Sequence, residues 1–318
     1  MGEKRRILIT GAAGYIGNQL LRNLLGKEYI ELILATDIKK PQIFEQSSKL
    51  RFVKMDIRSA EMGKLLKAEK IDTVVHLASI VTPGRKSDRQ LEYEVDVLGT
   101  QNILQSCISS GVRQLIVTSS GAAYGYYPDS PEWLTEQNPI RGNEEFAYSY
   151  HKRLIEEMLT EFREKYPQLK QLIFRPGTVL GKTTNNQITA LFHKPFILGV
   201  KGSATPFVFI WDQDVVNCLE KGIRESREGI FNLAGDGVVT MKEIAAIVNK
   251  PYIPIPAGIL KTILWILKKI GLSQYGPEQV NFIRYRPVLS NKKLKEEFGY
   301  IPMKTSLETF QYYWDSNR

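Results

Sequence analysis

The sequence contains few of the residues that bind metals or cross-link a chain. Its 318 residues include 2 cysteines, Cys107 and Cys218, and 3 histidines. Two distant cysteines form neither a disulfide framework nor a closely spaced metal-binding pair, so we expect a reducing compartment and two small core residues. Three histidines without a spaced pair argue against a metal site, and we predict none.

Long apolar runs and signs of disorder are also missing. No segment approaches the ~18 uninterrupted apolar residues of a membrane span. Residues 1–6 lead into a short apolar stretch without a small-residue cleavage site, so the sequence predicts no signal peptide and a cytoplasmic location. Because 43% of the residues are hydrophobic, the chain can bury a substantial core in one large domain or two closely joined ones.

The first half of the chain alternates short apolar runs with helical stretches. Short, nearly continuous apolar runs are typical of strands that are buried on both faces of a parallel sheet. Six such runs occur, at 7–10, 33–37, 51–53, 73–77, 115–117 and 172–174. Helical patterns lie between them, for example at 18–25 and 99–109. The sequence therefore predicts an α/β fold with a Rossmann-type, doubly wound parallel sheet.

The alternation weakens beyond Gly181. Residues 229–233 and 241–248 still have the patterns of a strand and a helix that could rejoin the sheet. We therefore predict a nucleotide-binding domain over 1–180, rejoined by 207–248. The remaining segments, 181–206 and 249–318, form a smaller substrate-binding lobe that is interleaved with the first domain in sequence.

The first predicted strand leads into a glycine loop. Gly11, Gly14 and Gly17 follow one another at intervals of three, between a strand and a helix. Such a loop brings backbone N–H groups and a helix N-terminus against a pyrophosphate, where a Cβ would obstruct the approach. Glycines are also common in ordinary turns, but the strand and helix on either side favour dinucleotide binding.

An acidic residue closes the second predicted strand. Asp37 follows Gly17 by twenty residues. A carboxylate there can accept hydrogen bonds from both adenosine-ribose hydroxyls and repels a 2′-phosphate, so NAD is favoured over NADP. Lys39 and Lys40 follow closely and could weaken that preference. The alternative interpretation is a solvated aspartate beyond an ordinary turn.

The chain carries an excess of positive charge. It has 43 Lys plus Arg against 34 Asp plus Glu, a formal net charge of +9. The excess is spread over short pairs and forms no basic arm, and no nucleic-acid recognition motif accompanies it. We predict no nucleic-acid partner; a mildly positive field instead favours capture of an anionic dinucleotide.

A tyrosine and a lysine with helical spacing are the candidate catalytic pair. Tyr148 and Lys152 are four residues apart, so on a helix they lie one turn apart on the same face. An ammonium beside a phenol favours the ionised phenol, which can act as a base toward a hydroxyl or, protonated, as an acid toward a carbonyl. Ser120 can hydrogen-bond the same substrate oxygen. Taken alone, such a pair is also common on solvated helix faces.

Together these motifs resemble the extended short-chain dehydrogenase/reductase (SDR) family, and within it the NAD-dependent epimerase/dehydratase branch. The resemblance spans nearly the whole chain. It rests on the glycine loop, on Ser120 with Tyr124-Gly125, and on Tyr148-x-x-x-Lys152 in this order. Further matching segments are 55–58 (MDIR), 76–79 (HLAS), 97–102 (VLGTQN), 175–177 (RPG), 208–215 (VFIWDQDV) and 298–302 (FGYIP).

The resemblance implies hydride transfer between a substrate carbinol carbon and NAD. In this role Tyr148 is the acid/base, Ser120 anchors the substrate oxygen, and Lys152 tunes Tyr148 and binds the nicotinamide ribose. The implied cofactor-binding residues are Gly11, Ala13, Gly14, Tyr15, Ile16, Gly17, Asp37, Ile38, Asp56, Ile57, Leu77, Ala78, Ser79, Asp96, Thr118, Tyr148, Lys152, Pro176, Gly177 and Val179. The implied substrate residues are Thr82, Gly121, Thr178 and Phe207.

Departures from the family pattern narrow the substrate. Dehydratases of the family carry an Asp-Glu pair where this chain has Gly121-Ala122, so dehydration is disfavoured. An asparagine that meets the substrate pyrophosphate is replaced by Thr178. No arginine stands just before Phe207, where the chain has Thr205-Pro206, and threonine cannot replace bidentate phosphate binding. These losses argue against a UDP- or dTDP-sugar.

Other features leave the substrate open. Lys182, Lys194 and Lys201 could still meet phosphates. Asp96 replaces the usual asparagine and His151 the usual serine before the lysine, which leaves the proton chemistry possible. The apolar segment 259–270 predicts a helix packed on its own lobe's core, with a substrate lid or a helix on a membrane surface as alternatives.

Four functional hypotheses follow. The favoured one is an NAD-dependent oxidoreductase or epimerase with a small-molecule substrate. The alternatives are a nucleotide-sugar 4-epimerase proper, and a reductase or dehydrogenase of an apolar, steroid- or flavonoid-like alcohol. A non-catalytic NAD-sensing regulator is the hypothesis from a different class. The resemblance also implies a homodimer through the helices that begin near Asp96 and Tyr148.

Overall fold

In the computed structural model, helices lie between most of the successive strands through residue 233. The structure describes residues 4–42, 47–81, 88–271 and 276–318. The strands are β1 Arg5–Thr10, β2 Ile30–Asp37, β3 Leu50–Lys54, β4 Thr73–His76, β5 Gln114–Thr118, β6 Lys170–Pro176, β7 Thr178–Leu180, β8 Ile197–Val200, β9 Pro206–Phe207, β10 Phe209–Trp211, β11 Gly229–Leu233, β12 Val239–Thr240 and β13 Tyr252–Ile255.

The helices surround these strands. They are α1 Tyr15–Leu25, α2 Met62–Ala68, α3 Arg89–Tyr93, α4 Gly99–Ser110, α5 Ala147–Lys165, α6 Gln187–Phe192, α7 Asp212–Arg224, α8 Met241–Ile247, α9 Ala257–Lys269, α10 Gln279–Arg284, α11 Lys292–Glu296 and α12 Ser306–Asp315. A π-helical turn, Glu94–Leu98, precedes α4, and a 3-10 turn, Gly121–Tyr124, follows β5.

Seven parallel strands form the central sheet, in the order β11-β6-β5-β4-β1-β2-β3. The order reverses direction at β1, which pairs with both β2 and β4. The predicted α/β fold with a doubly wound parallel sheet is confirmed. In such sheets, ligands bind outside the carboxyl ends of the strands near the reversal point.

Both faces of the sheet are buried because helices cover each of them. On β1, Ile7 and Ile9 belong to the core beneath α1 and α7, whereas Leu8 belongs to the core beneath α2, α4 and α5. The two predicted core cysteines are confirmed: Cys218 is buried in the first core and Cys107 in the second. This two-sided burial explains the continuous apolar runs of the strands.

The remaining strands form three short pairs in the second half of the chain: β7 with β10, β9 with β12, and β8 with β13. Aromatic side chains dominate the core of this region. Phe207 stacks on Phe209 with 5.5 Å between ring centroids, and Phe310 lies 5.5 Å from Phe209. β11 nevertheless returns to the central sheet beside β6, as its sequence pattern suggested.

Helix α9 departs from the sequence-based expectation. We expected its apolar residues to pack on the core of the lobe, but Leu260 is its one buried residue. Ile259, Trp265 and Ile266 are among its exposed residues. The expectation holds along one edge of the helix, where Leu260 and Leu264 join a small core, but not for the exposed residues, because the same apolar spacing arises whether or not another element covers the helix. No helix in the described ranges is long and apolar enough to cross a membrane.

Candidate active site

The glycine loop joins β1 to α1 in a conformation that depends on its glycines. Gly11 has a φ of +67°, and a Cβ there would lie 2.6 Å from the backbone nitrogen of Ala78. A Cβ on Gly17 would lie 2.3 Å from the carbonyl oxygen of Gly11. The loop can therefore fold this tightly only with hydrogen in both positions.

The N-terminus of α1 is open toward this loop. Gly14 is its N-cap and has no side chain to bond the first N–H groups, and the first turn contains no acidic residue. Unsatisfied N–H groups and the helix dipole together favour an anion at this position. Tyr15, predicted to bind the cofactor, directs its hydroxyl to Asp212 at 2.5 Å. Burial and this bond raise the pKa of Tyr15 to about 12.

Asp37 ends β2 beside the glycine loop. One carboxylate oxygen accepts a hydrogen bond from the Ala13 N–H at 3.0 Å, and the other accepts one from the Lys39 N–H at 3.0 Å. The carboxylate is therefore fixed next to the glycine loop. The neighbouring Ile38 is exposed.

Two further predicted cofactor segments lie beside the sheet. Asp56, in the loop after β3, forms an ion pair with Arg58 at 2.7 Å, and the arginine lowers the pKa of that carboxyl. Ile57 lies against Gly99, where α4 begins. After β4, Asp96 holds the loop by accepting a hydrogen bond from the Ile80 N–H at 2.9 Å. Thr82 lies outside the described residues.

Helix α5 carries the candidate catalytic pair. The Lys152 ammonium lies 5.5 Å from the centre of the Tyr148 ring and donates a hydrogen bond to the Thr118 carbonyl oxygen at 3.4 Å. Lys152 is buried. Within the described part of the chain, no carboxylate lies within 4.0 Å of it. A buried ammonium with a single long hydrogen bond is costly unless a further polar partner joins it.

Ser120 lies on the turn that α5 touches. Its hydroxyl oxygen caps the 3-10 turn by accepting from the Ala122 N–H at 3.1 Å. The Ser149 hydroxyl donates to the Ala122 carbonyl oxygen at 2.7 Å, which ties the first turn of α5 to this segment. The structure thus brings the three predicted catalytic residues to two elements that are in direct contact.

A buried histidine lies beneath this pair. The two ring nitrogens of His76 hydrogen-bond Thr10 at 2.7 Å and Thr100 at 3.0 Å. Burial, reinforced by the Lys152 charge, lowers the pKa of His76 to about 3. His76 is therefore neutral and links β1, β4 and α4, the structural role that its position at a strand end suggested.

The end of β6 is held by a buried ion pair. Arg175 bonds both carboxylate oxygens of Glu156 on α5, at 2.8 and 2.7 Å, and also bonds the Tyr124 hydroxyl at 2.8 Å. Bidentate pairing of this kind fixes both side chains. The pair therefore positions Pro176 and the residues that follow it relative to α5.

The predicted cofactor residues Gly177 and Val179, after β6, and the predicted substrate residue Gly121, after β5, lie against the second half of the chain. A Cβ on Gly177 would lie 2.9 Å from Val208, and one on Gly121 would lie 2.9 Å from Leu289. Val179 belongs to β7, which pairs with β10. Phe207 is buried, and the guanidinium of Arg286 lies over its ring.

Arg286 is the functional candidate that sequence reasoning missed. Its guanidinium carbon lies 4.0 Å from the centre of the Phe207 ring, and Nη2 donates to the Thr178 hydroxyl at 3.3 Å. No carboxylate in the described ranges lies within 4.0 Å of it. Although the sequence has no arginine just before Phe207, Arg286 therefore supplies a guanidinium beside this residue. Burial lowers the pKa of Arg286 to about 10, so it is still charged near neutrality.

An aromatic cluster joins Arg286 to Tyr148. Arg286 lies 5.0 Å from the centre of the Phe282 ring, and Phe282 lies 4.8 Å from Tyr126. Tyr126 and Phe146 form a small core against which Tyr148 packs. These rings form an apolar surface between a candidate acid/base and an unpaired cation. No sequence motif marked them, since they come from three separate segments.

The comparison with family models identifies the class of protein. The model described as the NAD dependent epimerase/dehydratase family matches residues 7–209. The chain belongs to this family. The matched region contains the glycine loop, Ser120, Tyr148 and Lys152, so the resemblance based on these motifs is confirmed at the level of the family.

Curated relatives within this family differ in activity. A protein of Mycobacterium tuberculosis named only as uncharacterized is 22% identical over 97% of this chain and 83% of its own length. The UDP-glucose 4-epimerase of Erwinia amylovora is 29% identical over 57% of this chain and 56% of its own. The D-erythronate dehydrogenase of Haemophilus influenzae is 25% identical over 60% and 62%.

A solved structure of the family shares the whole fold. The crystal structure of UDP-glucose 4-epimerase from Thermus thermophilus, a complex with NAD, superposes with a TM-score of 0.73 at 23% identity. The match covers 98% of this chain and 98% of that one. The second half of the chain, which lies largely outside the family match, therefore follows the same architecture.

Proposed function

We propose that this chain binds NAD at the carboxyl edge of the sheet and oxidises or epimerises a substrate at a carbinol carbon. The observation that carries the proposal is the buried Lys152 ammonium, one helical turn from Tyr148. It has one weak hydrogen bond, and no carboxylate oxygen of the described residues lies within 4.0 Å of it. The hydroxyls of a nicotinamide ribose would supply the partners that Lys152 lacks.

The residues of the site fit NAD. The glycine loop folds tightly because a Cβ on Gly11 or Gly17 would collide with the protein backbone, and the open α1 N-terminus beside it favours the charge of a pyrophosphate. Asp37 would accept hydrogen bonds from the adenosine-ribose hydroxyls and repel a 2′-phosphate. When bound, NAD supplies the hydride acceptor. The Thermus thermophilus epimerase, crystallised with NAD, supports this assignment.

In the proton transfer, a separate role would fall to each of Tyr148, Ser120 and Lys152. Ser120 would hydrogen-bond the substrate hydroxyl and hold it toward Tyr148. The Tyr148 phenolate would take the hydroxyl proton as the carbon loses its hydride, and the phenol would return a proton when a carbonyl is reduced. Lys152, whose ammonium lies 5.5 Å from the centre of the Tyr148 ring, would bind the nicotinamide ribose. The buried ion pair of Arg175 and Glu156 would keep α5 in place for this exchange.

We further propose that the substrate carries an anionic group such as a phosphate. Arg286 is a charged, largely buried guanidinium without a carboxylate partner in the described ranges, and it contacts Thr178. This side chain weakens the sequence-based argument against a nucleotide sugar. It also disfavours a wholly apolar alcohol, since such a substrate would leave the guanidinium unpaired. The UDP-glucose 4-epimerase of Erwinia amylovora is a relative with such a substrate.

A substrate screen tests the proposal. Purified protein with NAD is incubated with UDP-hexoses, sugar acids and hydrophobic alcohols, while NADH absorbance and product NMR spectra are recorded. NADH accumulation would indicate a dehydrogenase that releases its ketone. A new sugar isomer without NADH would indicate an epimerase that retains the ketone and returns the hydride to its other face. Turnover confined to uncharged alcohols would overturn the anionic-substrate proposal.

A Tyr148→Phe variant separates an enzyme from a sensor. We expect about a 10²–10⁴-fold loss of turnover, because the acid/base is removed, with NAD binding retained. Lys152→Met, by contrast, should weaken NAD binding as well. Undiminished turnover by Tyr148→Phe would disprove its role as acid/base. Homodimerisation through α4 and α5 stays a prediction.

A further inference from the structure

Helix α9 presents an uncovered apolar stripe. Ile259, Ile263, Ile266 and Ile270 follow one another at intervals of four, three and four residues, so they lie along one side of the helix. They are 55%, 41%, 45% and 59% exposed, respectively. We call these four residues the α9 face. Isolated exposed isoleucines are ordinary, but four aligned along one helix form a continuous apolar surface that marks an interaction site.

A flank of α9 next to this face anchors the helix to the protein. Leu260 and Leu264 pack in a small core with Val280 and Ile283 of α10. The helix is therefore fixed by one edge, and the α9 face is the convex surface that remains. A convex helix surface suits a planar partner, whereas peptide ligands are usually bound in grooves.

The apolar surface extends onto the adjacent strand pair. Leu198 and Ile253 are register partners in β8 and β13, and both are exposed. Val200 and Ile255, two residues further along each strand, contribute to the core beneath α9. Residues two apart point to the same face of a strand, so Leu198 and Ile253 continue the face on which α9 packs.

All the charged side chains of α9 are basic. The helix carries Lys261, Lys268 and Lys269, and residues 257–271 contain no acidic residue. Trp265 is 53% exposed. The Lys269 ammonium lies 5.0 Å from its ring centre. Lys268 forms an ion pair with Glu278 at 3.2 Å, so two lysines remain for an external anionic partner. Lysines on the polar side of a helix whose other side is an apolar stripe are typical of helices that bind anionic membrane surfaces.

We propose that the α9 face docks this protein onto an anionic phospholipid bilayer, with the helix in the plane of the interface. Its 13 residues span about 20 Å, too short for a hydrocarbon core of about 30 Å, so the helix lies on the membrane and does not cross it. A second copy of the chain is a poorer partner, because a two-fold contact through the α9 face would bring together the two copies of Lys269, which borders this face, without acids on α9 to pair them.

Vesicle flotation tests the docking. The full-length protein is mixed with vesicles of phosphatidylcholine, with or without phosphatidylglycerol, and the bound fraction is measured after flotation. We expect binding to the anionic vesicles, weakened by salt because surface charges are screened. Equal binding to both vesicle types, or none to either, would overturn the proposal.

Matched substitutions locate the surface. A double Ile263→Glu and Ile266→Glu variant should lower the vesicle-bound fraction about tenfold, since charges replace apolar groups at the interface. Ile301→Glu is the control, because Ile301 is 73% exposed far from α9 in sequence and should leave binding unchanged. Lys261→Gln with Lys269→Gln keeps the isoleucines and should remove the preference for anionic vesicles.

Two readouts separate the proposal from its alternatives. Circular dichroism and thermal unfolding confirm that each variant is folded. Light scattering then reports its mass. A change of mass in the double variant, with vesicle binding intact, would assign the α9 face to a second copy. A change of KM without vesicles, again with vesicle binding intact, would assign it to a substrate lid. Either result would overturn membrane docking.

Discussion

The guanidinium carbon of Arg286 lies over the Phe207 ring, 4.0 Å from its centre, and Nη2 hydrogen-bonds Thr178. A cation on an aromatic face is partly desolvated, yet it keeps its N–H donors for a ligand. The three residues come from α10's C-terminal flank, β9 and β7. Their meeting therefore couples the last third of the chain to the end of β6, where the proposed chemistry takes place.

Arg286→Met should weaken binding of an anionic substrate. Methionine keeps the apolar contact with Phe207 but removes hydrogen bonds to a charged group, worth about 1.5–3 kcal/mol, or roughly a 10–100-fold rise in KM. Steady-state kinetics with the substrate from the screen measure this change. Arg224→Gln is the control, because Arg224 is a half-exposed surface arginine paired with Glu220 and Glu225. A KM unchanged by Arg286→Met would rule out the anion-binding role.

Asp37→Asn should relax the preference for NAD over NADP. The amide oxygen can still accept a hydrogen bond from Ala13, which now reaches the carboxylate at 3.0 Å, but the negative charge that repels a 2′-phosphate is removed. We expect the ratio of dissociation constants, NADP over NAD, to fall about tenfold. Isothermal titration calorimetry with both cofactors measures it. An unchanged ratio would mean that Asp37 does not set the preference.

Gly17→Ala should destabilise the fold and weaken NAD binding. The added Cβ would lie 2.3 Å from the Gly11 carbonyl oxygen, and relieving such overpacking typically costs about 1–3 kcal/mol. Urea unfolding measures the change in the free energy of unfolding. Gly26→Ala is the matched control at the other end of α1, where a Cβ meets nothing within 4 Å. Equal stability of the two variants would contradict the steric argument.

Glu156→Gln should destabilise the protein strongly. It leaves the Arg175 guanidinium buried without its counter-charge, and breaking a buried pair in this way costs about 3–5 kcal/mol. Glu157→Gln, next along the same helix, removes an exposed pair with Arg153 at 3.5 Å and should cost about 0.5 kcal/mol or less. Chemical unfolding of both variants at neutral pH provides the comparison. Losses of similar size would show that the buried pair has no special role.

Acid should destabilise the protein through His151. Burial, with the positive charges of Arg89 and Lys152, lowers the pKa of His151 from 6.5 to about 4. As the pH falls, His151 therefore binds a proton near pH 6.5 in the unfolded chain but only near pH 4 in the folded chain. Stability from this group is complete above about pH 7, falls between these pKa values and then levels off.

The variant His151→Phe should reduce this loss. At about pH 5 the wild type should lose about 1–2 kcal/mol more than the variant, relative to neutral pH. Phenylalanine can preserve the edge contact with Tyr93, whose ring centre is 5.7 Å away. Urea unfolding at both pH values tests this. Parallel pH profiles for the two proteins would exclude His151 as the cause; His76, also buried and neutral, should leave a residual slope in both.

Much of the fold followed from local patterns. Ile7, Leu8 and Ile9 are a short apolar run that indicates a strand buried on both faces, and both faces of β1 are indeed covered. The helical spacing of Tyr148 and Lys152 likewise follows from the sequence alone, because two positions on one helix need no tertiary information. The roles of these residues stay predictions.

Tertiary contacts account for what was missed. Arg286 and Thr178 are 108 residues apart in sequence, yet they form a hydrogen bond. No periodic pattern in the sequence predicts such a contact. The family pattern has an arginine just before Phe207. In this chain the guanidinium beside Phe207 belongs to Arg286, which lies in another segment. The isoleucines of α9 have the same spacing whether they are covered or exposed, so their pattern could not distinguish a core helix from a surface one.

The return of β11 to the central sheet limits how this protein can be divided into fragments. A fragment ending at Leu180 would lack β11 and α7, which cover β6 and contribute Val215, Val216 and Leu219 to the first core. In such a fragment β6 would become an unprotected edge of the central sheet, and edges of that kind recruit other chains. The nucleotide-binding half should therefore aggregate when expressed alone and regain solubility when the missing segment is supplied in trans as a second polypeptide.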